Sequence, residues 1–249
     1  MAHTKHLQHN KNPFLSAVDE VSFYPYPTLG QSLDNLKERF CGTSRLLLVL
    51  GDFGSGKTLM MKQFLAGESN LWKPCKVNPS DSGNDDEPMV SARTSRGYRA
   101  YVYSAGDKTA LMMDDAQNLS VEDISFLIGL TGDADDGKQV DQVVLFAETS
   151  ILQIVDELSD LLSGEGDVDQ VFMPRMSRLE ADTYILKRLD SVHHKAGRLF
   201  TSSELDWIYD ESGGYPGGIN EAASRIFTQK TKDEGEGEGR FSTFLKKFF

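Results

Sequence analysis

Apolar residues follow two rhythms along this chain. Short unbroken runs occur at Arg45 to Leu50 (RLLLVL), Thr109 to Met113 (TALMM) and Val143 to Ala147 (VVLFA). A continuous run of that length suits a strand buried on both faces, as in a parallel sheet. Tyr98 to Tyr103 (YRAYVY) predicts one more strand. Elsewhere the apolar positions recur at helical spacing. Leu29, Leu33, Leu36 and Phe40 share a face, and a second helical pattern runs through Leu59, Met60, Gln63, Phe64 and Leu65. Ser120 to Leu130 predicts a helix with Ser120 as N-cap and Asp123 completing a capping box, and Ser150 to Leu162 predicts another.

A glycine-rich acidic junction, 163–170, ends the expected strands. Beyond it Glu180 to Ala196 reads as a helix with Ala181, Tyr184, Ile185, Leu189 and Val192 on one side. Thr201 and Glu204 form a capping box ahead of Leu205, Ile208 and Tyr209, and Ile219, Ala222, Ala223, Ile226 and Phe227 mark a last helix. The expected organisation is a disordered lead (1–12), an α/β core with a parallel sheet (13–170), a small helical lid (171–230), and an acidic linker with an aromatic tail (231–249). Residues 78–97 read as a poorly ordered insert and 232–239 as a flexible linker.

Composition narrows the class. The 249 residues carry 26 Lys+Arg against 38 Asp+Glu, a net charge of −12. That balance counts against a general nucleic-acid coat protein, which needs a cationic surface. Cys41 and Cys75 form no CxxC pair, so neither a disulfide scaffold nor a cysteine metal quartet is expected, and a reducing cytosol is the natural compartment. No apolar run approaches the ~20 residues of a membrane span, and the polar N-terminus has no secretory h-region. His3, His6 and His9 recur every third residue. A solvated tail explains them as well as a metal site does, since no thiolate or carboxylate cluster accompanies them.

Chemistry enters with Gly51-Asp52-Phe53-Gly54-Ser55-Gly56-Lys57-Thr58, which fits G-x-x-x-x-G-K-[ST] in full. Glycines let such a loop curl until successive backbone N–H groups face one anion, and the next helix offers its positive end to phosphate. Lys57 would bridge the β- and γ-phosphates of ATP, and the Thr58 hydroxyl would ligate Mg²⁺. Asp114-Asp115, closing the second apolar run, is a Walker-B-type pair. Asp114 would hold the metal, and Asp115 would orient or deprotonate the attacking water. Taken alone, the pair would read as a strand ending on the surface. Glu148 and Thr149 end the third run, where polar groups meet the γ-phosphate in an open α/β sheet. Thr149 or Ser150 serves equally as a helix cap there. Gly213-Gly214-Tyr215-Pro216-Gly217-Gly218-Ile219-Asn220 is either a plain turn between helices or a lid contact to the nucleotide through Pro216.

Other features have plainer alternatives. Arg93, Arg96 and Arg99 interleaved with Tyr98, Tyr101 and Tyr103 form a single-strand nucleic-acid patch or, more simply, a solvated loop and an alternating strand. His193 and His194 suit the end of a helix. The tail Phe241 to Phe249 (FSTFLKKFF) is a membrane- or partner-docking segment or merely an apolar end.

The Walker A loop, the Asp-Asp-Ala-Gln stretch from Asp114 and the Gly-Tyr-Pro-Gly-Gly-Ile-Asn stretch from Gly214 together resemble AAA+ ATPases of the GspA/ExeA-like secretion and cell-envelope group. The similarity is greatest to the cytoplasmic ATPase module of DamX-like cell-division proteins, and it covers about residues 10–230. It implies a P-loop NTPase core with a helical lid, Mg-dependent ATP hydrolysis, and a place in the cytoplasm at the inner face of the inner membrane. It also implies self-association or an envelope-protein partner. Such proteins continue into a transmembrane helix and a peptidoglycan-binding SPOR domain, so contact with peptidoglycan would come only through a further domain. Gly217 stands where the secretion branch has a sensor-2 arginine, which leaves that role either to another residue, such as Arg225, or absent. Arg175 and Arg178 are the candidates for an arginine finger. Asp115 is one methylene shorter than the family's usual Glu, which implies slow hydrolysis. The rival functions are a secretion or pilus-assembly ATPase, a nucleotide-gated regulator of the DNA-transposition type, and a nucleotide-binding scaffold without hydrolysis. DNA is not the expected partner of so acidic a chain.

Overall fold

The three apolar runs become the middle of one sheet. The computed structural model describes residues 12–15, 24–40, 42–67, 73–74, 100–105, 108–131, 140–162, 164, 166–190 and 199–236. These divide into two compact units, Pro27–Pro174 and a second made of Met1–Tyr26 with Arg175–Phe249.

In the first unit the order is α1 (Pro27–Arg39), β1 (Leu46–Leu50), α2 (Lys57–Gly67), β2 (Lys73–Pro74), β3 (Ala100–Ala105), β4 (Lys108–Met113), α3 (Val121–Gly129), β5 (Gln142–Ala147), α4 (Ile151–Glu157) and β6 (Val168–Phe172). The strands form one sheet in the order β2-β3-β4-β5-β1-β6. From β4 to β6 all neighbours are parallel, with Met113 opposite Leu145, Leu50 opposite Ala147, and Leu50 also opposite Phe172. All residues of β1 and β5 are buried, as continuous apolar strands between two helical layers must be. Leu46, Leu48, Leu50, Leu111, Met113, Val143, Leu145 and Ala147 pack with Ile124, Leu127 and Ile128 of α3 and Ile151 and Val155 of α4. Helices α1 and α2 contact each other, β6 and β5. Phe40, just past α1, meets Phe64 of α2 edge-on at 4.7 Å. The capping box expected at Ser120 is present, with the Asp123 N–H donating to Ser120 Oγ at 3.2 Å and the Ser120 N–H to Asp123 Oδ2 at 3.2 Å.

Several expectations change. A strand, β6, occupies Val168–Phe172, where the glycine-rich junction was expected to end the sheet. It lies at the sheet edge with Val171 buried, Asp169 half-exposed beside Arg39 and Phe172 exposed, so Val-Asp-Gln-Val-Phe carries no continuous apolar run. The sheet is mixed at its other edge. Ala105 pairs with Lys108 across two intervening residues, which forces β3 to run antiparallel to β4. Helix α4 stops at Glu157, well before Leu162. The chain goes on in turns, with Leu161 N–H bonding to Leu158 O and Leu162 N–H to Ser159 O.

In the second unit α5 (Arg178–Asp190), α6 (Ser202–Ser212) and α7 (Pro216–Glu236) carry the fold. Ser177 caps α5 by a capping box with Glu180, at 2.7 and 3.3 Å, and Thr201 caps α6 with Glu204, at 2.7 and 3.3 Å. The Glu204 carboxylate, almost wholly buried, also pairs with Lys230 of α7 at 2.6 Å. Phe14 packs on Phe200 and Phe227, and Asn12 donates to Ser224 and Thr228, so the N-terminal segment belongs to this unit and not to the core expected to start at 13. Helix α7 continues to Glu236, through residues expected to begin the linker. The histidines of the N-terminal tail, the 78–97 insert, His193, His194 and the aromatic tail lie outside the described residues.

Candidate functional site

Parallel strands expose their carboxyl ends along one edge of the sheet, and ligands of open α/β folds sit there. Three adjacent strands deliver the predicted residues to that edge. β1 is followed by Gly51, β4 by Asp114 and β5, which lies between them, by Glu148.

The loop 51–56 is a curled turn. Gly51 N–H donates to Ala147 O at 3.1 Å and Ser55 N–H to Asp52 O at 3.2 Å. Gly54 and Gly56 take φ of 75° and 97°, a region L side chains rarely adopt, so glycine is required at both. Gly51 is required for a different reason. A Cβ there would lie 2.6 Å from both Met173 Cβ and Ser55 Oγ. Helix α2 starts at Lys57, and its first N–H groups have no intrahelical acceptor. The Lys57 ammonium is buried and donates to two carbonyls of its own loop, Gly51 O at 2.8 Å and Asp52 O at 3.1 Å. Among the described residues no carboxylate pairs with it. Among the described residues Ser55 Oγ is buried without a hydrogen-bond partner. Asp52, Phe53 and Thr58 are exposed, Phe53 at 90%.

Asp115 has φ 53° and ψ 35°, and no other non-glycine residue among those described has positive φ. Asp tolerates this left-handed turn better than most residues because its short polar side chain bonds locally. The turn is pinned, with Asn118 N–H and Asn118 Nδ2 both donating to Asp115 O, at 3.2 and 3.1 Å. Asp115 N–H donates to Asp114 Oδ1 at 3.0 Å. Glu148 is half-buried and Thr149 exposed, and among the described residues neither side chain has a hydrogen-bond partner. The capping alternative for this segment does not hold. Ser150 makes no side-chain cap bond, and α4 begins on backbone bonds from Ile151 N–H to Glu148 O and Leu152 N–H to Thr149 O.

A triphosphate with Mg²⁺ fits these residues. The loop can admit no Cβ at Gly51, among the described residues the lysine charge has no carboxylate and the buried Ser55 hydroxyl no partner, and Thr58 and Asp114 supply the oxygen donors a hard cation takes.

In the helical unit Gly213 and Gly214 take φ of 58° and 79°, and Pro216 opens α7, the expected glycine-stop and proline-start asymmetry. Asn220 Oδ1 accepts from Tyr184 at 2.9 Å. Gly213, Gly214, Pro216 and Asn220 thus each have a structural reason. The guanidinium of Arg178 is held by Asp206 at 2.7 Å and by Asp182. Burial alone would lower its pKa, but hydrogen bonds and charge from Asp206 and Asp182 outweigh that and raise it. Such a residue is already neutralised within its own chain, which counts against an arginine finger. Arg225 likewise pairs with Glu221 on its own helix. Arg175 donates to the Tyr215 hydroxyl at 3.2 Å and lies 5.0 Å from that ring's centre.

One residue escaped the reading of single motifs. Gln117, in the turn Ala116–Asn118, donates to Asp115 Oδ1 at 3.3 Å and accepts from Glu148 N–H at 3.2 Å. Its place two residues after Asp115 was the only available signal.

No family model and no curated protein matches the chain. Among solved structures it is similar to NtrX from Brucella abortus, with TM-score 0.49 and 12% identity over 91% of this chain and 57% of that one. It is similar to the same protein in complex with ADP, with TM-score 0.48 and 14% identity over 85% and 52%. The ORC2 protein of Aeropyrum pernix, in ADPNP–ADP complexes, gives TM-score 0.45 and 15% identity over 85% and 64%. The chain spans less than two thirds of the length of each. No helix among the described residues is long and apolar enough to cross a membrane.

Proposed function

We propose that this chain is an AAA+-type module that binds ATP with Mg²⁺ at the loop 51–58 and hydrolyses it slowly. The observation that carries the reading is the convergence of Gly51–Thr58, Asp114–Asp115 and Glu148 on the carboxyl ends of three neighbouring parallel strands. Loop N–H groups and the start of α2 bind the phosphates. Lys57 exchanges the carbonyls of Gly51 and Asp52 for phosphate oxygens. Thr58 and Asp114 would hold the metal, which would supply positive charge to offset that developing on the phosphates. Asp115 orients the attacking water and takes its proton. Glu148 and Thr149 meet the terminal phosphate.

The resemblance to DamX-like modules supports a further step. Nucleotide state would govern self-association or binding of an envelope protein at the inner face of the inner membrane, in cell division or peptidoglycan-linked assembly. Gly217, uncharged where the secretion branch carries arginine, supports this over a secretion role.

Single-turnover hydrolysis of ATP tests the catalytic part. Asp115→Asn should slow it about a hundredfold or more while nucleotide affinity holds. An unchanged rate would remove Asp115 from the catalytic role, and no hydrolysis by the wild type would leave a nucleotide-binding scaffold. Sedimentation with ATP, ADP and no nucleotide tests the coupling, which requires a different association state in at least one of the three.

A further inference from the structure

We infer that Gln117 is a positioning residue that locks the Asp115 carboxylate to the end of β5, so that base and phosphate-facing strand move as one body. The inference rests on the hydrolytic reading above.

Strands β4 and β5 are direct neighbours, and their ends, Asp114 and Glu148, leave the last ladder pair, Met113 opposite Leu145, by different turns. Past that point no strand bond ties them. The Glu148 N–H lies beyond the strand and needs an acceptor. Gln117 Oε1 supplies it at 3.2 Å. The same amide group's Nε2 reaches Asp115 Oδ1 at 3.3 Å. One planar side chain thus joins two segments that carry different parts of the chemistry. Among the described residues it is the side chain that meets the Asp115 carboxylate.

The geometry explains why an amide is needed. A carboxylate at 117 could accept from Glu148 but would repel Asp115. An amine could donate to Asp115 but not accept from Glu148. The glutamine amide does both from one planar group. Without the tether Asp115, exposed and on a left-handed residue, samples other rotamers, and the fraction of time it faces the water falls.

The two arms can be tested separately in the full chain. Gln117→Leu removes both bonds at similar volume on a half-buried residue. Expected are a kcat lower by roughly tenfold to a hundredfold, a fraction of what a positioned base contributes, and a Mg-ATP Kd within about twofold. Amide exchange of the nucleotide-free protein, followed residue by residue, should speed up by about tenfold or more at Glu148 and not at Leu48 or Val144. Gln117→Glu should keep Glu148 protected yet lose the rate. An unchanged kcat in Gln117→Leu, equal losses of affinity and rate, or undisturbed exchange at Glu148 would each overturn the inference. Absence of hydrolysis by the wild type overturns the hydrolytic reading itself, and the catalytic role of Gln117 with it. The exchange at Glu148 then still shows whether the tether exists.

Discussion

Replacing Asp115 by glycine and, separately, by alanine removes the same carboxylate and changes the backbone cost in opposite directions. The residue sits at φ 53° and ψ 35°. A side chain with a Cβ meets the following carbonyl there, at a cost of about 1–2 kcal/mol, and Asp offsets part of it through local bonds. Alanine meets the whole cost. Glycine meets none, but gives back about 0.5–1 kcal/mol through the greater freedom of its unfolded chain. The glycine variant should therefore be more stable than the alanine variant by about 0.5–1 kcal/mol. In a chain of this size that is a difference of about 1–4 °C in Tm. Both should lose single-turnover hydrolysis to the same extent. The assay is thermal and urea unfolding of the two variants side by side, followed by far-ultraviolet circular dichroism. An alanine variant equal to or more stable than the glycine variant would mean that the left-handed turn is not what the folded chain adopts. The site built on it would then be wrong.

Three further outcomes follow from the same contacts. Gly51→Ala places a Cβ 2.6 Å from Met173 Cβ and Ser55 Oγ, so the loop must open, at about 1–3 kcal/mol in urea unfolding and with weakened ATP binding. Lys230→Met leaves the Glu204 carboxylate buried beside an apolar chain, and unfolding of the helical unit should show a loss of about 3 kcal/mol. Burial, with help from Tyr101, pushes the Tyr103 phenol from its ordinary 10.0 up to about 12, and burial with the charge of Glu180 raises Tyr26 as well. Both groups bind their proton more tightly when folded. Their stabilisation is therefore complete below pH 10 and drains away as pH climbs toward 12. Tyr103→Phe and Tyr26→Phe should flatten that alkaline decline in a pH series of urea midpoints.

The sequence made the middle of the sheet and the phosphate loop legible because both are local patterns. An unbroken apolar run has few fates, and Gly-x-x-x-x-Gly-Lys-Thr encodes a curled backbone residue by residue. Capping boxes at Ser120 and Thr201 were legible for the same reason. What escaped was set by partners distant in sequence. β6 is half-polar because it has one neighbour, Leu46 to Leu50, more than a hundred residues earlier. The antiparallel edge comes from a two-residue connection that the composition did not distinguish from a loop. Phe14 sits with Phe200 and Phe227, and no periodicity near residue 14 announces that. Gln117 becomes meaningful only when Glu148 arrives beside it. Arg178 looked like a free cation in sequence and is bound to two acids in the fold.

Titration calorimetry of the full chain with Mg-ATP, beside Lys57→Ala, bears most directly on the central claim. One site per chain should be seen, and removal of the buried ammonium should weaken it by roughly tenfold to a hundredfold, the value of a charge-assisted hydrogen bond. No binding by the wild-type chain, or equal binding by Lys57→Ala, would contradict a nucleotide site at the loop 51–58.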